Sequence, residues 1–438
     1  MSDERPLTSV MKRFMWIAPL GLAMCIPTAA EGAWDLFSSI LLSGGRAENP
    51  RFLDPSYPAS ERRGQTNGTI GLTMGVRGKW ERTDLALSYS PSGEIYEQSD
   101  LNRVTHDLAF SWEHRHTPRT STRILENFSY SPDRGNDPNI AALGGVITTG
   151  TNAVGNDFSG ALLFRASEKS TFEWAVRDAE RRFSADQYLD TSRYSTGVEY
   201  GRKLSGPVKL LWGYDFAVFR FSDGETLLAP PALDPNDICS QFPQDPNCII
   251  VNPPASTAPA TTAEDLGANR HRAYSGFLWE VPGGIHVALD YGYDVLFFDA
   301  EAQDAIARPY IKSTVGWNGD RLYTRVGYSQ GLDEGGGVLT NAELRRSLAE
   351  MRFRITDRTF FDLSASYESR RSLDVAGSPP GGALRTFRGW GTYGFKLPRE
   401  WVLFATAGHD RQTSTGTGIV AADIRANRYA LGISKSFD

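Results

Sequence analysis

Past residue 26 the chain has no apolar run long enough to cross a membrane as a helix. It contains only three cysteines and six histidines, too few and too scattered for a convincing metal set. No phosphate-binding glycine loop, zinc motif or heptad run stands out, and no cofactor is expected. Nor is there an excess of positive charge. The formal net charge of -6 excludes a generally basic nucleic-acid binder. A mean hydropathy of -0.36 argues against a helical membrane protein. It does not argue against a barrel, whose strands show only half their residues to lipid.

What is present is alternation. The segment Asn427 to Phe437 puts Tyr429, Leu431, Ile433 and Phe437 on one parity and Ala430, Gly432, Ser434 and Ser436 on the other. That is the pattern of a strand between lipid and a wet lumen. Phe437 is followed by Asp438, a departure from the terminal Phe with which bacterial outer-membrane barrels commonly end. At the other end, Met11-Lys12-Arg13 opens a basic region and Phe14 to Ile26 is a short apolar run. Small residues follow, suited to cleavage after Ala30 or Ala33, so residues 1–30 read as a secretory signal peptide. The acidic, polar stretch before it points to Met11 as the translation start.

From 34–45 to 425–437, about eighteen alternating segments recur, an even number as a bacterial single-chain barrel requires. The connections alternate short and long. Turns such as Val281-Pro-Gly-Gly284 and Trp317-Asn-Gly-Asp320 carry turn chemistry, whereas 46–66, 133–154, 222–269, 371–382 and 412–424 are longer and irregular. A soluble sandwich has no reason to alternate so regularly. The expected fold is therefore all-β: residues 31–438 form one transmembrane antiparallel barrel with periplasmic termini, in the outer membrane of a Gram-negative bacterium. Cys239 and Cys248 lie in the long 222–269 outer loop, where an exported pair this close is expected to form a disulfide.

Parity also assigns faces. Val208, Leu210, Trp212, Tyr214 and Phe216 are expected to face lipid, as are Phe361, Leu363, Ala365 and Tyr367. Charges on the opposite parity point into water, because a cation facing lipid near the midplane costs about 2–4 kcal/mol. Lys312, Arg321, Arg325, Arg346, Arg352 and Arg354 come from three consecutive segments and would form a lumenal basic wall with only Glu350 interleaved. Two readings stand side by side: a wall for an anionic solute or polymer, and a ladder of salt bridges to Asp290, Asp294, Asp362 and Glu368. Tyr323 and Trp390 share the lumenal parity and offer stacking surfaces. Catalysis is disfavoured, since the one superficial trio, His409, Asp410 and Ser414, consists of residue types common in such loops.

With its signal peptide, its strand layout and its penultimate Phe437, the chain resembles the β-barrel porins of exopolysaccharide export loci. The resemblance is one of layout across the mature chain, and no functional residue is carried over from it. It implies a passive outer-membrane conduit for a secreted polysaccharide, working with a periplasmic or outer-membrane polysaccharide export protein. The lumenal arginines would suit an acidic polymer. The alternatives are a general or solute-selective diffusion porin and, less favoured, an outer-membrane enzyme.

Overall fold

A computed structural model of the protein describes residues 33–50, 63–132, 151–184, 189–204, 206–222, 267–299, 304–334, 341–373, 382–415 and 423–437. The expected signal peptide, Cys239, Cys248 and most of the 222–269 loop lie outside the described residues.

The alternating segments form strands β1 (Ala33–Ala47), β2 (Gln65–Lys79), β3 (Thr83–Tyr96), β4 (Arg103–Thr117), β5 (Thr120–Pro132) and β6 (Asn152–Arg165). There follow β7 (Ser170–Phe183), β8 (Asp190–Lys203), β9 (Val208–Ser222), β10 (Ala268–Val281), β11 (Ile285–Phe298) and β12 (Ile306–Asn318). The last are β13 (Leu322–Glu334), β14 (Asn341–Arg354), β15 (Thr359–Ser372), β16 (Ala383–Lys396), β17 (Trp401–Thr415) and β18 (Ile424–Phe437). Each strand pairs antiparallel with the next, and β1 pairs with β18 from Ser38↔Phe437 to Ala47↔Arg428. The sheet is therefore an 18-stranded closed barrel with no free edge.

Connections at the end holding Ala33 and Phe437 are two to four residues long, and those at the other end are six or more. Short turns mark the periplasmic end of barrels built this way. One turn shows why the residue types matter. Gly283 and Gly284 have φ of 99° and 86°, the left-handed region that glycine enters without steric cost. A Cβ on Gly284 would lie 2.2 Å from the Asn318 carbonyl oxygen, so side chain and backbone conformation are excluded together.

Residues opposite each other in a ladder share a face, so the register fixes what points outward. Leu210, Phe277, Leu289 and Ser313 form one outward row around the wall, as do Phe353, Phe361, Tyr393 and Ala405. The outward surface is broadly exposed and apolar, including Trp174, Trp212, Tyr293, Val326 and Leu431. In water such a surface would drive aggregation, and in a bilayer it is the lipid contact. One patch breaks the rule. Glu126 stands outward between Phe110 and Phe158, hydrogen-bonded by Asn156, with Asp178 close by on β7.

Candidate functional site

The inward residues line a lumen whose two halves differ. Near the short turns, Glu113, Arg115, Arg165, Lys203, Arg354 and Lys396 are exposed. Toward the outer end, inward side chains are buried all round the wall, among them Ala153, Phe219, Leu296, Arg370, Asp410 and Ile424. The interior is thus open toward the periplasm and packed toward the outside.

On the side of β8 to β13 the packing has an identifiable cause. The β12–β13 ladder stops at Ile311↔Gln330, although β12 continues to pair with β11 as far as Ile306. The next position that would face β13 is Pro309, which has no N–H to give a ladder. Released from β12, the outer end of β13 leans into the lumen with its partner β14. Asp333 accepts a hydrogen bond from Arg193 Nη1 on β8 at 3.3 Å. Strands five apart lie about 24 Å apart along the wall at about 4.8 Å each, so this contact requires β13 to reach across the interior. Leu332 packs at 1% exposure with Phe219, Phe221, Leu296 and Leu373, an apolar core inside the barrel.

Polar groups fasten this inward end. Asp294, fully buried, accepts from Arg272 Nε at 2.6 Å and Nη2 at 3.0 Å, and also from the Leu332 amide at 2.7 Å. Arg270 donates to the Leu332 carbonyl at 2.8 Å and to Asp215 at 2.7 Å. The Arg272 guanidinium sits 3.9 Å from the Tyr310 ring centroid. Gly331 makes the approach possible, because a Cβ there would lie 2.6 Å from Asp294 Oδ2. A second charged cluster lies on β14 to β18. Glu368 accepts from Arg346 and Arg370, each at 2.6 Å, and Asp410 accepts from Arg428 at 2.6 Å.

The expected basic wall divides along the lumen. Arg346 pairs with Glu368 in the outer cluster, and Lys312 stands opposite Asp290 on β11. Arg325 lies 3.8 Å from Glu350, and Arg352 forks onto Asp362 at 2.9 and 3.3 Å. Arg321 belongs to the turn before β13 rather than to the strand. With Tyr323, Arg352, Arg354, Arg358 and Lys396 it lines a recess of about 580 Å³ at the periplasmic mouth, where Asp320, Asp357 and Asp362 also stand. Trp390 faces the lumen higher up, beneath the Arg428 guanidinium at 5.3 Å. Of the expected counter-charges, Asp362 and Glu368 meet the wall, whereas Asp294 is taken by Arg272. Sequence reasoning missed the Arg270–Arg272–Asp294 cluster. The signal available was Pro309, a proline inside a strand-like run.

The trio His409, Asp410 and Ser414 is not brought together. His409 faces outward and bonds Asn427 at 2.6 Å, Asp410 faces the lumen, and Ser414 donates to Asp423. Among the described residues no group of His, Cys, Asp and Glu is placed to hold a metal ion.

A closed barrel with an apolar outer belt and a charged interior defines an outer-membrane β-barrel protein. No family model and no curated protein matches the chain. Among solved structures, the siderophore receptor PirA from Pseudomonas aeruginosa overlaps 93% of this chain and 81% of its own at 10% identity and a TM-score of 0.43. OccK2 (OpdF) from Pseudomonas aeruginosa, solved with glucuronate, covers 92% and 98% at 9% identity and a TM-score of 0.43. The outer membrane protein opdK from Pseudomonas aeruginosa covers 92% and 99% at 11% identity and a TM-score of 0.41.

Proposed function

We propose that the protein is a solute-selective diffusion porin that favours small anionic solutes. The observation that carries this reading is the inward end of β13, held across the lumen by Asp333 on Arg193 and Asp294 on the Leu332 amide. A constriction fastened by buried ion pairs suits a passage for small solutes. A sliding polymer needs a continuous wide bore with weak contacts along it. Export of a polysaccharide, the role implied by layout alone, is therefore the less supported reading.

The preference for anions rests on the charge balance inside. The whole chain is net negative at -6, yet the inward positions carry more Arg and Lys than Asp and Glu. The periplasmic recess adds Arg321 and Arg358 from turns, and guanidinium forks match carboxylates and phosphates. Solutes would be drawn in by the field of the wall and released because several of its cations, Arg325, Arg346 and Arg352 among them, already share an acidic neighbour.

The test is reconstitution in planar bilayers with a salt gradient. The wild-type reversal potential is expected on the anion side, and Arg354→Glu with Lys396→Glu is expected to move it toward the cation side. Swelling of liposomes in a small sugar acid, but not in a polymer of the same sugar, is the matching permeation result. A cation-selective wild type, or free passage of the polymer, would refute the proposal.

A further inference from the structure

The outward face of β14 to β18 and β1 is layered in an order that lipid contact alone does not require. Lowest lies a row of missing side chains: Ala349 opposite Ala365, Ala365 opposite Gly389, and Gly391 opposite Ala407. They leave a groove of about 1310 Å³, bordered by Val326, Leu363, Tyr393 and Leu431. One step further out stand Tyr367, Phe387, His409 and Asn427. Beyond them comes a collar of arginines, Arg371, Arg385, Arg411 and Arg425, all outward and exposed.

The collar sits at a defined depth. Arg385 is ten residues from Phe395 on β16, about 33 Å of strand. At a tilt of about 40° that is roughly 25 Å of height, one apolar thickness of a barrel belt. Phe395 marks the periplasmic interface, so Arg385 stands at the headgroup level of the outer leaflet. Arg411 and Arg425 lie directly opposite each other in the ladder with no acid between them. Like charges so placed repel, and among the described residues Arg371, Arg385, Arg411 and Arg425 join no ion pair.

We propose that this face binds a phosphorylated, multiply acylated glycolipid of the outer leaflet, of the lipid A type. Charge complementarity selects it. Paired guanidiniums bind a phosphomonoester dianion in fork geometry, and a headgroup with more than one phosphate bridges neighbouring arginines. His409 and Asn427, bonded to each other at 2.6 Å, present polar atoms at sugar depth, where Asn427 also donates to the Glu48 carboxylate at 2.5 Å. The acyl chains lie in the Gly and Ala groove below. The inference rests on the membrane-spanning fold and is independent of which solute crosses the lumen.

The experiment uses the full-length barrel purified in detergent and native mass spectrometry with three added lipids: lipid A, its dephosphorylated form, and phosphatidylglycerol. Lipid A is expected to be retained over both others. Arg385→Ala/Arg411→Ala/Arg425→Ala is expected to weaken retention about tenfold or more. Gly391→Leu/Ala407→Leu, which fills the groove, should weaken lipid A and its dephosphorylated form alike. Arg202→Ala, an outward cation at the periplasmic end, should change nothing. Heat-modifiable gel mobility confirms that each variant is a folded barrel. Equal retention by wild type and the triple-arginine variant, or equal capture of phosphatidylglycerol, would overturn the proposal.

Discussion

Asp294 is the side chain on which the constriction turns. Fully buried, it holds Arg272 from the same wall and the Leu332 amide from a strand that has left its neighbour. Removing one partner of a buried pair leaves an uncompensated charge, a loss of about 3–5 kcal/mol. Asp294→Ala is therefore expected to lower the urea midpoint of the barrel in lipid vesicles by an amount of that order. A shift below about 1 kcal/mol, the range of solvated pairs, would show that water reaches the site. Residue parity placed Asp294 in the lumen, but parity says nothing of partners. The expected partners were the cations of the basic wall, and the one found, Arg272, lies on β10 directly opposite.

At the scale of the element, the outer end of β13 decides how wide the passage is. Its freedom comes from Pro309 on the neighbouring strand, and its seat comes from Gly331, which has no Cβ to meet Asp294 Oδ2 at 2.6 Å. Gly331→Val is expected to push this end out of the lumen and raise single-channel conductance, with the barrel still heat-modifiable on a gel. Unchanged conductance would mean that the narrowest point lies elsewhere. The strands themselves were readable in advance. The expected segments 34–45 and 425–437 appear as Ala33–Ala47 and Ile424–Phe437. Alternation is a local property, so strand positions survive without knowledge of the fold. A strand that pairs on one side and bends inward on the other has the same local pattern, which is why β13 read as an ordinary wall strand.

Across the whole molecule, net negative charge and a cationic interior coexist because closure sorts the two faces and the loops into separate regions. Selectivity from such a distributed field is screened by salt, with a Debye length of about 10 Å at 0.1 M and about 3 Å at 1 M. The anion preference is therefore expected to be strong in dilute salt and to fade toward none in concentrated salt, read from reversal potentials at both. A preference unchanged by salt would point to a tight contact filter instead of a field. The lipid collar belongs to this scale too, since its arginines on β15 to β18 line up only through the register of the ladders between those strands.

The sequence by itself determined the barrel, the strand positions and the face of nearly every side chain. Period-two alternation, turn residues and the cost of charge in lipid act over a few residues and leave little choice. Glu126 is a charge that stands outward by register, between Phe110 and Phe158. The tertiary structure alone decided which charges meet, that the outer half of the lumen is packed, and that small residues and arginines stack into one lipid-facing site. Those depend on register between paired strands and on a ladder broken at Pro309, and no local pattern encodes either.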